Sequence, residues 1–239
     1  MMRKWNLFAA GWILFFSSIL TGQDAGAGVY IEEVNRDLER ATKIIRYFSE
    51  NQFRTDIPEY GLTTIVDFKG DRMVMIYHKV KRYEEIRFSQ WEKIESEKVK
   101  KSMLRTKPKT KKIVVRNTGE TAVINGFRTE KIQLIVDGEL VEENFMTKDV
   151  NIGEVEKVMG KVAKIFMKEF RKEMTEGQEI YDKLKPHGFP VLIKDYTLTY
   201  GLSPVSVMEI IKLEKKELGD EIFYPPSDYQ RIVPETPKK

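Results

Sequence analysis

The sequence predicts a mainly β fold of the α+β class: an antiparallel sheet with one apolar helix packed against it. Three observations predict it. Strand-like runs recur from Val29 to Phe88, broken by turn residues at the short spacing of a meander. A second β-rich stretch, from Val114 to Val150, carries the turn signals Asn117-Thr118-Gly119, Asn125-Gly126 and Asp137-Gly138. From Asn151 to Met174 the apolar residues instead follow steps of three and four. At 239 residues the chain has room for one large β-rich domain, placed at 28–233.

The N-terminus reads as a secretory signal peptide over residues 1–27. Arg3 and Lys4 precede an apolar run from Leu7 to Leu20, and Ala25-Gly26-Ala27 is a small-x-small cleavage pattern. The run is short for a membrane span, which needs ~20 apolar residues. An uncleaved N-terminal anchor is the alternative. The expected location is periplasmic. The 41 basic and 37 acidic residues leave a net charge of +4, too balanced for a nucleic-acid-binding protein. The chain has no cysteine, so disulfides and thiolate metal sites are excluded.

Val29 to Asn35 alternates as a strand. Lys43 to Phe48 and Gln52 to Ile57 flank Ser49-Glu50-Asn51 as a hairpin, and Pro58 to Gly61 is a turn. Leu62 to Phe68, Arg72 to His78 and Arg82 to Phe88 continue the meander, and Gln90 to Arg105 opens as a short helix. Lys98 to Lys112 is the most basic stretch, with eight Lys or Arg in fifteen residues. It is a solvated loop or a patch for anionic head groups or an acidic partner. The candidate contacts are Lys100, Lys101, Arg105, Lys107 and Lys109.

Asn-Gly and Asp-Gly suit type I′ turns, whose two central residues need positive φ. A two-residue loop at Asp137-Gly138 pairs Val136 with Glu139, Leu134 with Val141, and Ile132 with Glu143. That register puts Ile132, Leu134, Val136, Val141 and Phe145 on one apolar face, with Glu142 and Asn144 on the other. In the helix, Asn151 is the N-cap and Glu154 completes a capping box. Ile152, Val155, Met159, Val162, Phe166, Phe170 and Met174 form the stripe, which is core or a lid over an apolar cavity. Gly177 ends or kinks the helix, and Gln178 to Leu184 resumes it. Pro186 to Pro190 is a corner, Val191 to Tyr200 and Val205 to Lys212 are strands, Phe223 to Pro226 closes the fold, and 234–239 is a disordered tail.

The chain resembles an uncharacterised family of exported bacterial proteins related to the LolA-like lipoprotein-carrier superfamily. The resemblance rests on Thr118-Gly119-Glu120-Thr121, Ile124-Asn125-Gly126-Phe127, Glu142 to Asp149, Gly188-Phe189-Pro190 and Phe223 to Tyr229. Relatives often carry Trp where this chain has Asn144-Phe145, and Cys where it has Thr129. The resemblance implies an incomplete antiparallel β-barrel, or strongly curved sheet, with helices on its concave face, the face that holds acyl chains in the superfamily.

No catalysis and no cofactor are expected. His78 and His187 stand alone, no metal-ligand spacing occurs, and neither a nucleophile elbow nor a phosphate-binding glycine loop is present. The expected function is a carrier or sensor for an apolar ligand, with Val155, Met159, Val162, Phe166 and Phe170 facing Ile132, Leu134 and Val141 across the cavity. The expected partners are a lipid or acylated protein, an envelope protein, or the membrane surface. A cell-envelope scaffold with a filled core is the alternative.

Overall fold

A computed structural model of the protein describes residues 27–37, 39–91, 111–151, 153–166, 171–197 and 206–233. Its first six strands are a meander: β1 (Ala27–Asp37), β2 (Ala41–Phe48), β3 (Gln52–Ile57), β4 (Leu62–Asp67), β5 (Arg72–Tyr77) and β6 (Arg82–Arg87). Next come β7 (Ile113–Ile124), β8 (Phe127–Val136) and β9 (Glu139–Thr147). Two helices follow, α1 (Gly153–Phe166) and α2 (Arg171–Leu184), then β10 (Phe189–Asp195), β11 (Ser206–Glu217) and β12 (Gln230–Ile232). The strands make one sheet in the order β12-β6-β5-β4-β3-β2-β1-β11-β10-β9-β8-β7. Every neighbouring pair is antiparallel except β12 and β6.

The sheet is unclosed but strongly curled. Asn125, at the tip of the β7–β8 hairpin, donates from Nδ2 to Glu209 Oε1 at 3.0 Å and to the Ile210 carbonyl at 2.8 Å. Glu209 and Ile210 lie on β11, three places away from β8. In a flat sheet that separation is ~14 Å, so only a curled one brings the groups together. Ile124 and Phe127 from the same tip pack against the main core.

Alternation divides the first strands into two apolar faces. Val29, Ile31, Phe48, Phe53, Val66 and Met73 point to the concave face and join Val155, Val158, Met159 and Val162 of α1. Ile65, Val74 and Ile76 point the other way, where Phe223 is buried against them to 1% exposure. The chain from Leu218 to Tyr229 is therefore a strap across the convex face. Arg54 donates to the Ile222 carbonyl, Lys81 meets Asp228 at 2.8 Å, and β12 ends the strap on the β6 edge. The sequence showed Phe223 as the closing element but not the three-residue strand β12.

Three other expectations change. Asn117-Thr118-Gly119 does not separate two strands; it is a bulge inside the twelve-residue β7, with Gly119 at φ 75°. The Asn117 and Thr118 side chains bond the backbone there, at Gly119 N and the Lys131 carbonyl, and replace the missing ladder contacts. Asp137-Gly138 does form the left-handed pair expected of it, as does Asn125-Gly126. However, a second bulge in β9 pairs Leu134 with Glu142, Gln133 with Glu143 and Ile132 with Asn144. Finally, Gly177 lies inside α2, whose packing through Tyr181 and Leu184 offsets the ~1 kcal/mol helix cost of one glycine.

The helix expected over 151–174 comprises α1 and the start of α2. Asn151 does cap α1, its Oδ1 accepting from Gly153 N at 3.1 Å. Glu154 does not close the capping box, since its Oε2 is buried without a partner. At the corner after α2, Gly188 has φ 107°, and a Cβ there would meet the Thr147 carbonyl oxygen at 2.1 Å. This glycine lets β10 start directly beside β9. The helix expected from Gln90 is seen only at its start, in the helical residues 88–91; its remainder, the tail and residues 198–200 of the expected strand lie outside the described residues.

The strap yields a direct expectation. Phe223→Ala removes the largest side chain under the strap and should cost about 3–5 kcal/mol of stability in urea denaturation. A cost of a few tenths would mean that the strap is not part of the cooperative unit.

Candidate functional site: the concave face under the helices

The concave face is positioned by the alternation of the strands and covered by two helices. From α1, Val155 and Val158 are fully buried, and Met159 and Val162 are nearly so. They meet Val191 and Ile193 of β10 and Met208 and Ile210 of β11. From α2, Leu184 and Ile180 meet Ile132, Met146 and Val115. Thus Val155, Met159 and Val162 come together as expected, but Ile132 packs under α2 rather than α1. Leu134 is buried to 1% exposure. Val141 is the bulged residue of β9, half-buried, and its carbonyl accepts from Tyr196 N at 2.8 Å. Phe166 ends α1, and its side chain, like Phe170, lies outside the described residues. The same holds for Lys100, Lys101, Arg105, Lys107 and Lys109.

The Val141 bulge changes what lies on this face. Beyond it, side chains point opposite to the simple register. Phe145 therefore leaves the apolar face, while Glu142, Asn144 and Met146 join it. On the convex side Phe145 lies between Lys131 and Lys194, whose Nζ atoms stand 5.8 and 5.5 Å from its ring centre. Glu143 on that side accepts from Lys131 at 2.9 Å and from the Tyr196 hydroxyl at 2.8 Å. Burial works to raise the Glu143 pKa, but its bonds to Lys131, Tyr196 and Gln133 hold it below the usual carboxylate range. Burial, then the bond to Glu143, pushes the Tyr196 hydroxyl up to about 12.

On the concave side the polar groups are less well satisfied. Asn144 is completely buried; its Nδ2 donates to Glu142 Oε2 at 3.1 Å, and its Oδ1 has no partner. An orphaned buried acceptor costs about 1–3 kcal/mol. Burial pushes the Glu142 carboxyl up to about 7; the bond from Asn144 lowers it, and Asp195, its cross-strand neighbour on β10, raises it again. No cation among the described residues pairs with Glu142 or Asp195. The sequence did show that adjacent Glu142 and Glu143 face opposite ways. It did not show which one faces the core, because the bulge has no turn residue to announce it.

A recess with a cavity volume of about 400 Å³ lies under the strap and is lined by Arg54, Ile76, His78, Tyr224 and Pro225 among others. His78 Nε2 is 2.9 Å from Thr63 Oγ1 and Nδ1 is 3.1 Å from the Tyr229 hydroxyl. Thr63 gives its only proton to Asp56 Oδ1 at 2.5 Å. In the neutral ring, Nε2 thus donates to Thr63 and Nδ1 accepts from Tyr229. Both nitrogens are engaged, so the ring brackets the strap to the sheet.

The raised Glu142 pKa has a definite sign. Between pH 4.5 and about 7 the unfolded chain has lost this proton while the folded chain retains it. Glu142 therefore costs stability as pH rises through that window, with the full cost reached above pH 7. Glu142→Gln should leave stability unchanged below pH 4.5 and raise it relative to the parent by pH 8, read as the difference between urea midpoints at each pH. Parallel curves from pH 4 to 8 would show that the carboxyl titrates normally.

No curated protein matches the sequence. Among solved structures, an uncharacterized conserved protein from Thermus thermophilus aligns with a TM-score of 0.47 at 9% identity, over 87% of this chain and 91% of that one. A chain of the Pseudomonas aeruginosa MucA/MucB complex gives 0.47 at 6% identity, over 86% of this chain and 58% of that one. PNGF-II gives 0.35 at 12% identity, and this chain spans 31% of it. Residues 35–229 match the family described as Domain of unknown function (DUF4412), and the chain belongs to that family.

Proposed function

We propose that the protein is a carrier or sensor of the bacterial envelope, exported by a signal peptide over residues 1–27, that takes an acyl chain or similar apolar ligand between the sheet and α1. The observation that carries this reading is how α1 is attached. Its inner side rests on apolar contacts from Val155, Val158, Met159 and Val162. Its outer side is tied by Lys161, which donates to the Glu50 carbonyl at 2.7 Å and Asn51 Oδ1 at 3.1 Å. Apolar contacts are non-directional, so an acyl chain can replace them at ~0.8 kcal/mol per methylene. Met73, Met159 and Met208 in the same cluster supply soft, adaptable walls.

In this reading α1 is the lid, and Val155, Met159 and Val162 line the site when it lifts. Phe166 and Phe170 are further ligand-contact candidates from the sequence, and Ile132, Leu134 and Val141 form the far wall. Lys100, Lys101, Arg105, Lys107 and Lys109 guide the protein to anionic head groups. No helix among the described residues is long and apolar enough to cross a membrane. A second reading, an envelope scaffold with a permanently filled core, is favoured by the near-complete burial of the α1 stripe.

Native mass spectrometry of the purified protein, before and after organic extraction, separates the two. The carrier reading expects one amphiphile per chain, or its uptake from phosphatidylglycerol vesicles. A clean apo mass after that incubation supports the scaffold. Replacing Lys100, Lys101, Lys107 and Lys109 with Gln should weaken binding to the same vesicles at least about tenfold at low salt, at ~1 kcal/mol per lysine, and leave stability within about 0.5 kcal/mol. Unchanged vesicle binding would remove the guidance role.

A further inference from the structure

Resting on the carrier reading, we propose that Glu142, Asn144 and Asp195 form the head-group subsite of the concave face, and that they select a ligand bearing a primary ammonium on an apolar chain. Asn144 occupies a distinctive place. Its cross-strand neighbour on β8 is Ile132, which belongs to the cluster under α2. Its neighbour on β10 is Ile193, which belongs to the cluster under α1. The side chain therefore stands at the seam between the two helices, where a ligand lifting α1 would first meet the sheet.

The chemistry of the three groups fits one kind of ligand. Asn144 is fully buried and offers an unpaired acceptor, Oδ1, to whatever enters the seam. Glu142 holds the Asn144 amide through Oε2 and so fixes which end of that amide points outward. Asp195 stands directly across from Glu142 and adds negative charge. The facing β8 residue is Leu134, which brings no charge. An ammonium has three donors and one positive charge, matching an orphaned acceptor beside two carboxyls that have no cation partner among the described residues. Its hydrocarbon would lie along Leu134, Ile132, Met146 and Ile193, all nearly inaccessible to solvent. The described acids and histidines form no cluster suited to a metal ion, which leaves an organic cation as the better match.

The test uses three probes of equal chain length: dodecylamine, dodecyltrimethylammonium and dodecanoate, each below its micelle concentration at pH 8. There the Glu142 carboxylate predominates, since its proton leaves near pH 7. Calorimetry should show dodecylamine binding at least about tenfold tighter than dodecyltrimethylammonium, which carries the charge without an N–H donor. Glu142→Gln and Asn144→Leu should each reduce that preference to within about twofold, with Glu142→Gln weakening both cationic probes. Asn144→Leu also removes the orphaned acceptor, so an undiminished melting temperature confirms that it folds; Glu142→Gln keeps the shape if it does not. Equal binding of all three probes, or a preference that survives both variants, overturns the head-group subsite and leaves the carrier reading intact. Failure of every probe to bind overturns both.

Discussion

One extra residue in β9 decides which β9 side chains lie on the concave face. With Val141 bulged, each side chain beyond it faces the side opposite to the one a regular hairpin would give it. Met146 then reaches Leu184, and Phe145 turns out between two lysines. Glu143 reaches Lys131 and Tyr196, the pairs that keep it ionised. Without the bulge, Phe145 would lie under α2 and Asn144 on the wet side. The bulge is held from the next strand, since the Val141 carbonyl accepts from Tyr196 N.

The fold was legible where local rules act alone. Asn125-Gly126 and Asp137-Gly138 announced their hairpins because few other dipeptides accept two left-handed residues in succession. The alternation of Val29 to Phe88 gave the meander, and the α1 stripe gave Val155, Met159 and Val162. What was not legible depended on contacts distant in sequence. The β9 bulge shows no glycine, Gly177 reads as a helix breaker until Tyr181 and Leu184 are seen to be buried, and β12 is too short to show any period. Asn117-Thr118-Gly119 has a turn's composition and is a bulge because β8 continues opposite it.

The candidate site was half legible for the same reason. Its apolar members follow from periodicity. Its polar members, Glu142 and Asn144, fall on the opposite face in a regular hairpin register, because a one-residue shift inverts every side chain after it. The two sides of the sheet also differ in how they treat acid groups. Glu143 is given partners until it stays charged, whereas Glu142, one residue away, is left with an amide and another acid.

The strand order bears on how the chain folds. The sheet joins its early and late strands by the pairing of β1 with β11, from Ala27 opposite Glu217. Its outer edge is sealed by β12 on β6, with the Tyr229 hydroxyl on His78 spanning 151 residues. Each half of the meander can collapse locally, but the two halves have no register relative to each other until β11 arrives. Such high contact order makes folding slow, with loop closure preceding the contacts that reward it. A chain of which only the first 200 residues are free to fold thus lacks the ladder that joins the two groups of strands. The register between the two groups is therefore set only once the chain as far as Glu217 is available.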